Sequence, residues 1–187
     1  MALTQTLGLI YLVSEILLTL TRRSRPKPGA KDPDRASLLT VWTVIAIGVM
    51  AGVLALQYCP WATFPRHSAL TIVSVAIFVA GLIIRWWAII HLGRFFTVNV
   101  SIAPDHQLVD TGPFWFVRHP SYTGVLLAFV GLALTLHNWV AFLAVLVPIF
   151  CVFLYRMRIE EEALTEAFGE RYRGYMRRTK RLIPKLY

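Results

Sequence analysis

Residues 118–155 read RHPSYTGVLLAFVGLALTLHNWVAFLAVLVPIFCVFLY. Two apolar runs, 120–136 and 139–155, flank a single polar dipeptide, His137-Asn138. Neither run carries a charged side chain, which is the pattern of chain buried in hydrocarbon rather than in a soluble core. At 1.5 Å per residue a run of this length reaches roughly 26 Å. That is slightly less than a hydrocarbon core of about 30 Å. The stretch therefore reads as a tight antiparallel pair of short helices set within a membrane.

Three more apolar runs precede it: 2–20, interrupted by Glu15; 38–59; and 68–92, which contains Arg85. Of 187 residues, 57% are hydrophobic, and mean hydropathy is +0.60. The expected architecture is all-α and integral to the membrane, with about five transmembrane helices, a binding loop on the cytosolic side, a C-terminal helical tail and one domain over 1–187. The first run lacks a basic leader and a small-residue cleavage site, so it reads as a retained helix rather than a signal peptide.

The net charge of +9 sits between the runs, not within them. The linker 21–37 holds six basic residues, from Arg22 to Arg35, and the tail 156–187 holds nine. The turn 58–67 holds only Arg66, 93–119 holds Arg94 and Arg118, and the hairpin turn holds none. By the positive-inside rule the linker, the 93–119 segment and the tail are cytoplasmic, and the N-terminus is outside. This distribution points to a lipid bilayer as partner and away from nucleic acid. Cys59 and Cys151 form no CxxC pair and no metal-ligand spacing, so they read as small buried hydrophobes and no metal is expected. GxGxxG, P-loop, HExxH and GxSxG patterns are all missing, so no Rossmann nucleotide site is signalled.

The chemistry concentrates in two places. The segment 93–119, GRFFTVNVSIAPDHQLVDTGPFWFVRH, is long for a connector and rich in hydrogen-bonding side chains. Loops of this length are commonly functional, and its aromatic residues argue for order. A short extended piece over Phe95–Val100 is possible. Pro120 suits the first turn of a helix, which makes His119 the expected cap. The first-turn N–H groups could then receive an anion. The alternative is that Arg118 and His119 only anchor a helix end at the headgroups.

The second place is the start of the tail, RMRIEEEALTEAF. Arg156 and Glu160 are four apart and share a helix face, as do Arg158 and Glu162 on another. Such pairs are either exposed salt bridges or, close to the membrane, a grip on two charged groups of a ligand. Glu15 and Arg85 are charges within runs, expected to be structural, with Arg85 near enough to its run's end to reach the interface.

The sequence LVDTGPFWFVRHPSYTG, followed by RIEEEALTEAFGERYRGY and a terminal RLIP, resembles the isoprenylcysteine carboxyl methyltransferase family. It is also similar to membrane phospholipid methyltransferases, which share RHPxYxG and a downstream Glu-Glu. The resemblance covers roughly 95–187 and implies a catalytic region over 93–187. It implies S-adenosyl-L-methionine as methyl donor, with S-adenosyl-L-homocysteine as product, and a lipophilic prenylcysteine-like carboxylate as acceptor. Carried over by position, the donor is held by Asn99, His106, Gln107, Leu108, Val109, Phe114, His119, Pro120, Ser121, Tyr122 and Glu160. Arg156 falls at the substrate-carboxylate position, and Arg156 and Glu160 are the residues expected to carry catalysis. Phe114 stands where much of the family has Tyr, so a hydroxyl is lost and ring packing kept. The chain is shorter than the eukaryotic enzymes, which suggests a minimal version in a prokaryotic cell membrane.

The alternatives are a phospholipid or other lipid N-methyltransferase, a sterol-reductase-like NADPH enzyme, and a non-enzymatic protein whose basic segments bind anionic lipids. A carboxylate acceptor is already ionised at pH 7. An amine would need deprotonation, and Arg156 would be an odd neighbour for it.

Overall fold

The computed structural model describes residues 2–22, 34–96 and 107–187. Its helices, in chain order, are α1 (Ala2–Arg22), α2 (Asp34–Tyr58), α3 (Ser68–Leu92), α4 (Pro113–Phe116), α5 (Pro120–Leu134), α6 (Trp139–Phe168) and α7 (Glu170–Arg178). No strand forms among the described residues, and the expected all-α membrane architecture holds. Four helices, α1, α2, α3 and α6, are long and apolar enough to cross a membrane. The chain is a multi-pass membrane protein.

Both helices of the hairpin differ in length from their apolar runs. The run 120–136 is helical only to Leu134, because Thr135 turns its hydroxyl onto Leu132 O at 2.6 Å and ends the helix. At 15 residues, α5 reaches about 22 Å. The run 139–155, by contrast, does not stop where hydropathy stops. It continues into the charged tail as one 30-residue helix, α6, since EEEALTEAF is made of good helix formers. Gly169, at φ 54°, ends it in the left-handed conformation that glycine adopts without strain. Asn138 starts it: its Oδ1 accepts from Ala141 N at 2.9 Å, while its Nδ2 donates to Cys59 O at 2.8 Å. That second bond ties the hairpin turn to the α2–α3 turn.

The tightest seam is α3 on α5. A Cβ added at Gly124 would lie 2.6 Å from Arg85 N and from Gly81 O, and one at Gly131 would lie 2.5 Å from Phe78 N. Small residues let the two backbones nearly touch, the usual device where lipid offers no hydrophobic drive between helices. The seam also sets a register: the backbone of Arg85 is level with the first turns of α5. On the other side, Gly48 and Gly52 of α2 face Ala141, Ala144 and Val145 of α6. Phe78, Phe129, Val145, Ile149 and Phe153 fill the middle.

α1 is held differently. Thr4 shares a hydrogen bond with Thr135 at 2.9 Å, and Tyr11 lies 4.9 Å from Phe129, ring to ring. Trp86 Nε1 donates to Ser14 at 2.8 Å, and Glu15 meets Arg85. These are side-chain reaches, whereas Gly8 has nothing near its Cα face within 4 Å.

The chain end folds back under α5. Arg118 N donates to Lys180 O at 2.7 Å, and His119 N donates to Arg181 O at 3.0 Å. Thr123 Oγ1 donates to Leu182 O at 2.9 Å. The terminal RLIP is thus stitched along the RHP motif, which accounts for the two occurring together.

Candidate active site

The α6 helix presents Arg156 and Glu160 on one face, as their spacing requires, and Tyr122 of α5 lies between them. Arg156 Nε donates to the Tyr122 hydroxyl at 3.1 Å, and that hydroxyl donates to Glu160 Oε2 at 2.8 Å. Arg156 is buried, while the Glu160 side chain stays 32% exposed. His119 stacks on Tyr122 at 5.5 Å and 16°, and Phe153 closes the other side of the phenol at 5.1 Å.

His119 takes the N-cap position of α5, but its side chain caps nothing. Its Nε2 lies 3.1 Å from Glu161 Oε1. A carboxylate only accepts, so Nε2 carries the proton. The α5 N-terminus is a leaner anion site than the sequence suggests. Pro120 has no N–H, and the N–H groups of Tyr122 and Thr123 both donate to His119 O at 3.0 Å. Only Ser121 N is left unbonded in that turn among the described residues.

Arg118 is no headgroup anchor. Its Nε donates to Glu161 Oε1 at 2.9 Å and its Nη1 to Met176 O and Thr179 O. Arg181 joins from the chain end, with Nη2 2.6 Å from Glu161 Oε2, and that bond holds the guanidinium above its ordinary pKa. Glu161 therefore faces the stitched terminus while its neighbour Glu160 faces the cavity. Arg158 and Glu162 are exposed, on the opposite side.

The cavity opens where α3, α4 and α7 meet and reaches between the helices of the bundle. Its mouth is lined by Leu108, Val109, Phe114, Leu164, Tyr172 and Tyr175. A polar layer follows, made of His119, Pro120, Ser121, Tyr122, Arg156 and Glu160, with Glu15 and Arg85 on the far wall. To the side of it, α1 and α2 contribute an apolar wall at Leu18, Val41, Trp42 and Ile45. One space thus joins an aromatic mouth, a ring of charge and an apolar slot.

Nearly every expected site residue in the described chain lines this cavity. Gln107 does not: it is exposed and outside the lining. Asn99 and His106 lie outside the described residues, as does most of the expected extended piece over Phe95–Val100.

Residues 74–166 match the sequence pattern of the isoprenylcysteine carboxyl methyltransferase (ICMT) family. Protein-S-isoprenylcysteine O-methyltransferase A of Arabidopsis thaliana is 30% identical over 174 residues, covering 90% of this chain and 85% of that protein. The chain belongs to the isoprenylcysteine carboxyl methyltransferase family. A second relative, protein-S-isoprenylcysteine O-methyltransferase B of the same plant, is 33% identical over 121 residues, 64% of this chain and 61% of its own length. A solved eukaryotic intramembrane Ras methyltransferase ICMT shares the fold, with a TM-score of 0.62 at 21% identity, over 98% of this chain and 65% of that one. The chain thus spans just under two thirds of the length of that structure and of the second relative.

Within this member of the isoprenylcysteine carboxyl methyltransferase family, two site residues, Glu161 and Tyr172, are not singled out by the sequence, and a third, Arg85, is singled out without its partners. Glu161 was one of three consecutive glutamates, and nothing local said which one turned inward. Tyr172 lies beyond the matched stretch, in α7; its side chain is 1% exposed and its hydroxyl has no hydrogen-bond partner among the described residues. Burial, with the nearby Glu161 and Glu160 carboxylates, pushes that phenol above its usual range, so it stays a donor. The tyrosines of ERYRGY were the available signal. Last, Arg85 does not reach outward to the interface: it pairs with Glu15 and donates through Nη1 to Ser121 Oγ at 3.0 Å.

Proposed function

We propose that this protein transfers a methyl group from S-adenosyl-L-methionine to the carboxylate of a lipophilic, prenylcysteine-like acceptor, with its C-terminal face in the cytoplasm. The observation that carries this reading is the Arg156–Tyr122–Glu160 layer placed between an aromatic mouth and an apolar slot. An acceptor with one charged end and a hydrocarbon tail matches that order.

The residues present suit a donor that bears an ammonium, a carboxylate and an aromatic base. Glu160 would take the cation, Ser121 N–H and the orphaned Tyr172 hydroxyl would donate to the carboxylate, and Leu108, Val109 and Phe114 would pack on the base. When bound, such a donor supplies a methyl carbon on a sulfonium sulfur; a carboxylate oxygen bonds to that carbon as the carbon–sulfur bond breaks, and the sulfur keeps the electron pair.

The protein's own task is mainly alignment. Arg156 is locked through Nε by Tyr122, so its guanidinium plane has a set direction in which to hold a carboxylate. The Tyr122 proton is committed to Glu160, so the phenol acts as a brace and not as an acid. No base is required, because the acceptor carboxylate is ionised at neutral pH. Arg156 is buried, which strengthens the guanidinium–carboxylate attraction.

The test is transfer of labelled methyl to N-acetyl-S-farnesylcysteine by the purified protein, read as base-labile ester. Label in amine-linked lipid with no base-labile product would replace this reading with lipid N-methylation. A melting-temperature rise with NADPH and none with S-adenosylmethionine would favour a reductase instead.

Tyr172→Phe gives a second check. A lost hydrogen bond to a charged group, at roughly 1.5 kcal/mol, weakens donor binding about tenfold. Without donor the same variant is expected to be as stable as wild type or slightly more so, since it removes an unsatisfied buried hydroxyl. Calorimetric titration and thermal melts measure the two halves. Unchanged donor affinity would place the hydroxyl outside the donor site.

A further inference from the structure

We infer that Glu15 and Arg85 form a positioning pair that fixes α1 as the wall of the acceptor slot and ties that wall to the first turn of α5. This inference rests on the methyltransferase reading and adds what sets acceptor affinity.

Both oxygens of Glu15 are engaged by Arg85, Oε1 from Nε at 2.6 Å and Oε2 from Nη2 at 2.7 Å. The remaining arm of the fork, Nη1, donates to Ser121 Oγ at 3.0 Å. Both charged side chains are buried, with 9% and 8% of their surface exposed. Each Glu15 oxygen and each arm of the guanidinium fork already has a partner within the protein. The pair therefore adds geometry to the cavity and not a ligand contact. A planar fork on a carboxylate fixes both distance and direction, which a single hydrogen bond does not.

The wall needs such a device. The α3–α5 seam is fixed by backbone contact at Gly81, Gly124 and Gly131. α1 has no such backbone contact and is held by side chains: the polar and aromatic reaches at positions 4, 11, 14 and 15 and the buried Leu7 and Leu18. Tyr11 and Leu18, which line the slot against Val41 and Ile45, lie one helical turn either side of Glu15. Moving α1 would change the slot's width directly. Because Arg85 is level with the start of α5, the same pair sets the slot against Ser121 and Tyr122, where the polar layer begins.

The experiment compares the full chain in lipid nanodiscs with the double variant Glu15→Leu/Arg85→Met. Removing both charges together leaves no unpaired ion in the bundle, so the fold is expected to survive. The expected result is a rise of about tenfold in KM for N-acetyl-S-farnesylcysteine, with kcat within about threefold of wild type, the mark of lost uniform binding. Arg85→Lys keeps a charge for Glu15 but loses the fork and the bond to Ser121. It is expected to raise the acceptor KM by about threefold, an intermediate effect of the same kind. Wild-type acceptor KM in the double variant, or in Arg85→Lys should the double variant not fold, overturns the inference. So does a loss of kcat that tracks a loss of melting temperature with acceptor KM unmoved. No transfer by the wild-type protein would instead sink the methyltransferase reading, and this inference with it.

Discussion

Arg156→Ala is expected to lower kcat/KM for N-acetyl-S-farnesylcysteine by about 10²–10³-fold in protein that still folds, a loss read per folded molecule. The size follows from what is removed. Two hydrogen bonds to a charged acceptor, at roughly 1.5–2 kcal/mol each, come to a few kcal/mol of transition-state stabilisation. Among the neighbours, Glu160 is partly open to solvent and can be hydrated, and Tyr122 keeps its bond to it. Arg156→Lys is not a full rescue. A lysine ammonium is a point charge without the planar fork, and it cannot both bond Tyr122 and present two parallel donors. A residual deficit of at least about tenfold is expected for Lys. Activity of Arg156→Ala above a tenth of wild type would mean that the acceptor carboxylate is held elsewhere.

The case for Arg156 was partly legible before any coordinates. Four-residue spacing put it on a face with Glu160, and helix geometry alone guarantees that. The third partner was not legible. Tyr122 sits 34 residues away, and only the α5–α6 packing brings its hydroxyl between the two charges. The spans followed from hydropathy for a plain reason: a lipid-facing helix must be apolar nearly all round, so its signal is local. The helical character of the tail is legible too, but not that span and tail form one unbroken helix, because leaving the bilayer ends the apolar run without ending the helix. Glu15 and Arg85 stood out singly as charges in apolar runs. Their pairing spans 70 residues and depends on α1 docking beside α3, which periodicity does not encode. His119 was read as a cap from Pro120 alone. Its ring turns away because α6 supplies another partner, Glu161, which Arg118 and, from the chain end, Arg181 hold in place.

That carboxylate sets the second large effect. Glu160 and Glu161 are neighbours in sequence, yet they point to opposite tasks, and the same substitution should separate them. Glu161→Gln removes a buried charge on which Arg118, Arg181 and His119 converge. Breaking a buried ion pair by deleting one member commonly costs about 3–5 kcal/mol, because the partner charge is left unmatched. Arg181 is a quarter exposed and recovers some hydration, so the lower end, about 3 kcal/mol, is expected here. For a chain of this size that lowers the melting temperature by roughly 10 °C. The damage should begin at the chain end, where Lys180 and Arg181 lie along Arg118 and His119. Protease cleavage after the basic residues of α7 should therefore accelerate in Glu161→Gln before the bundle melts. Glu160→Gln should do the reverse: a melting temperature within a few degrees of wild type, because its carboxylate is partly solvated, and a loss of donor affinity of about tenfold or more from the missing charge. Thermal melts and donor titrations on the two variants decide it. Equal melting losses in both would mean that the two glutamates belong to one structural network, and the division between a cavity face and a terminus face of α6 would fall.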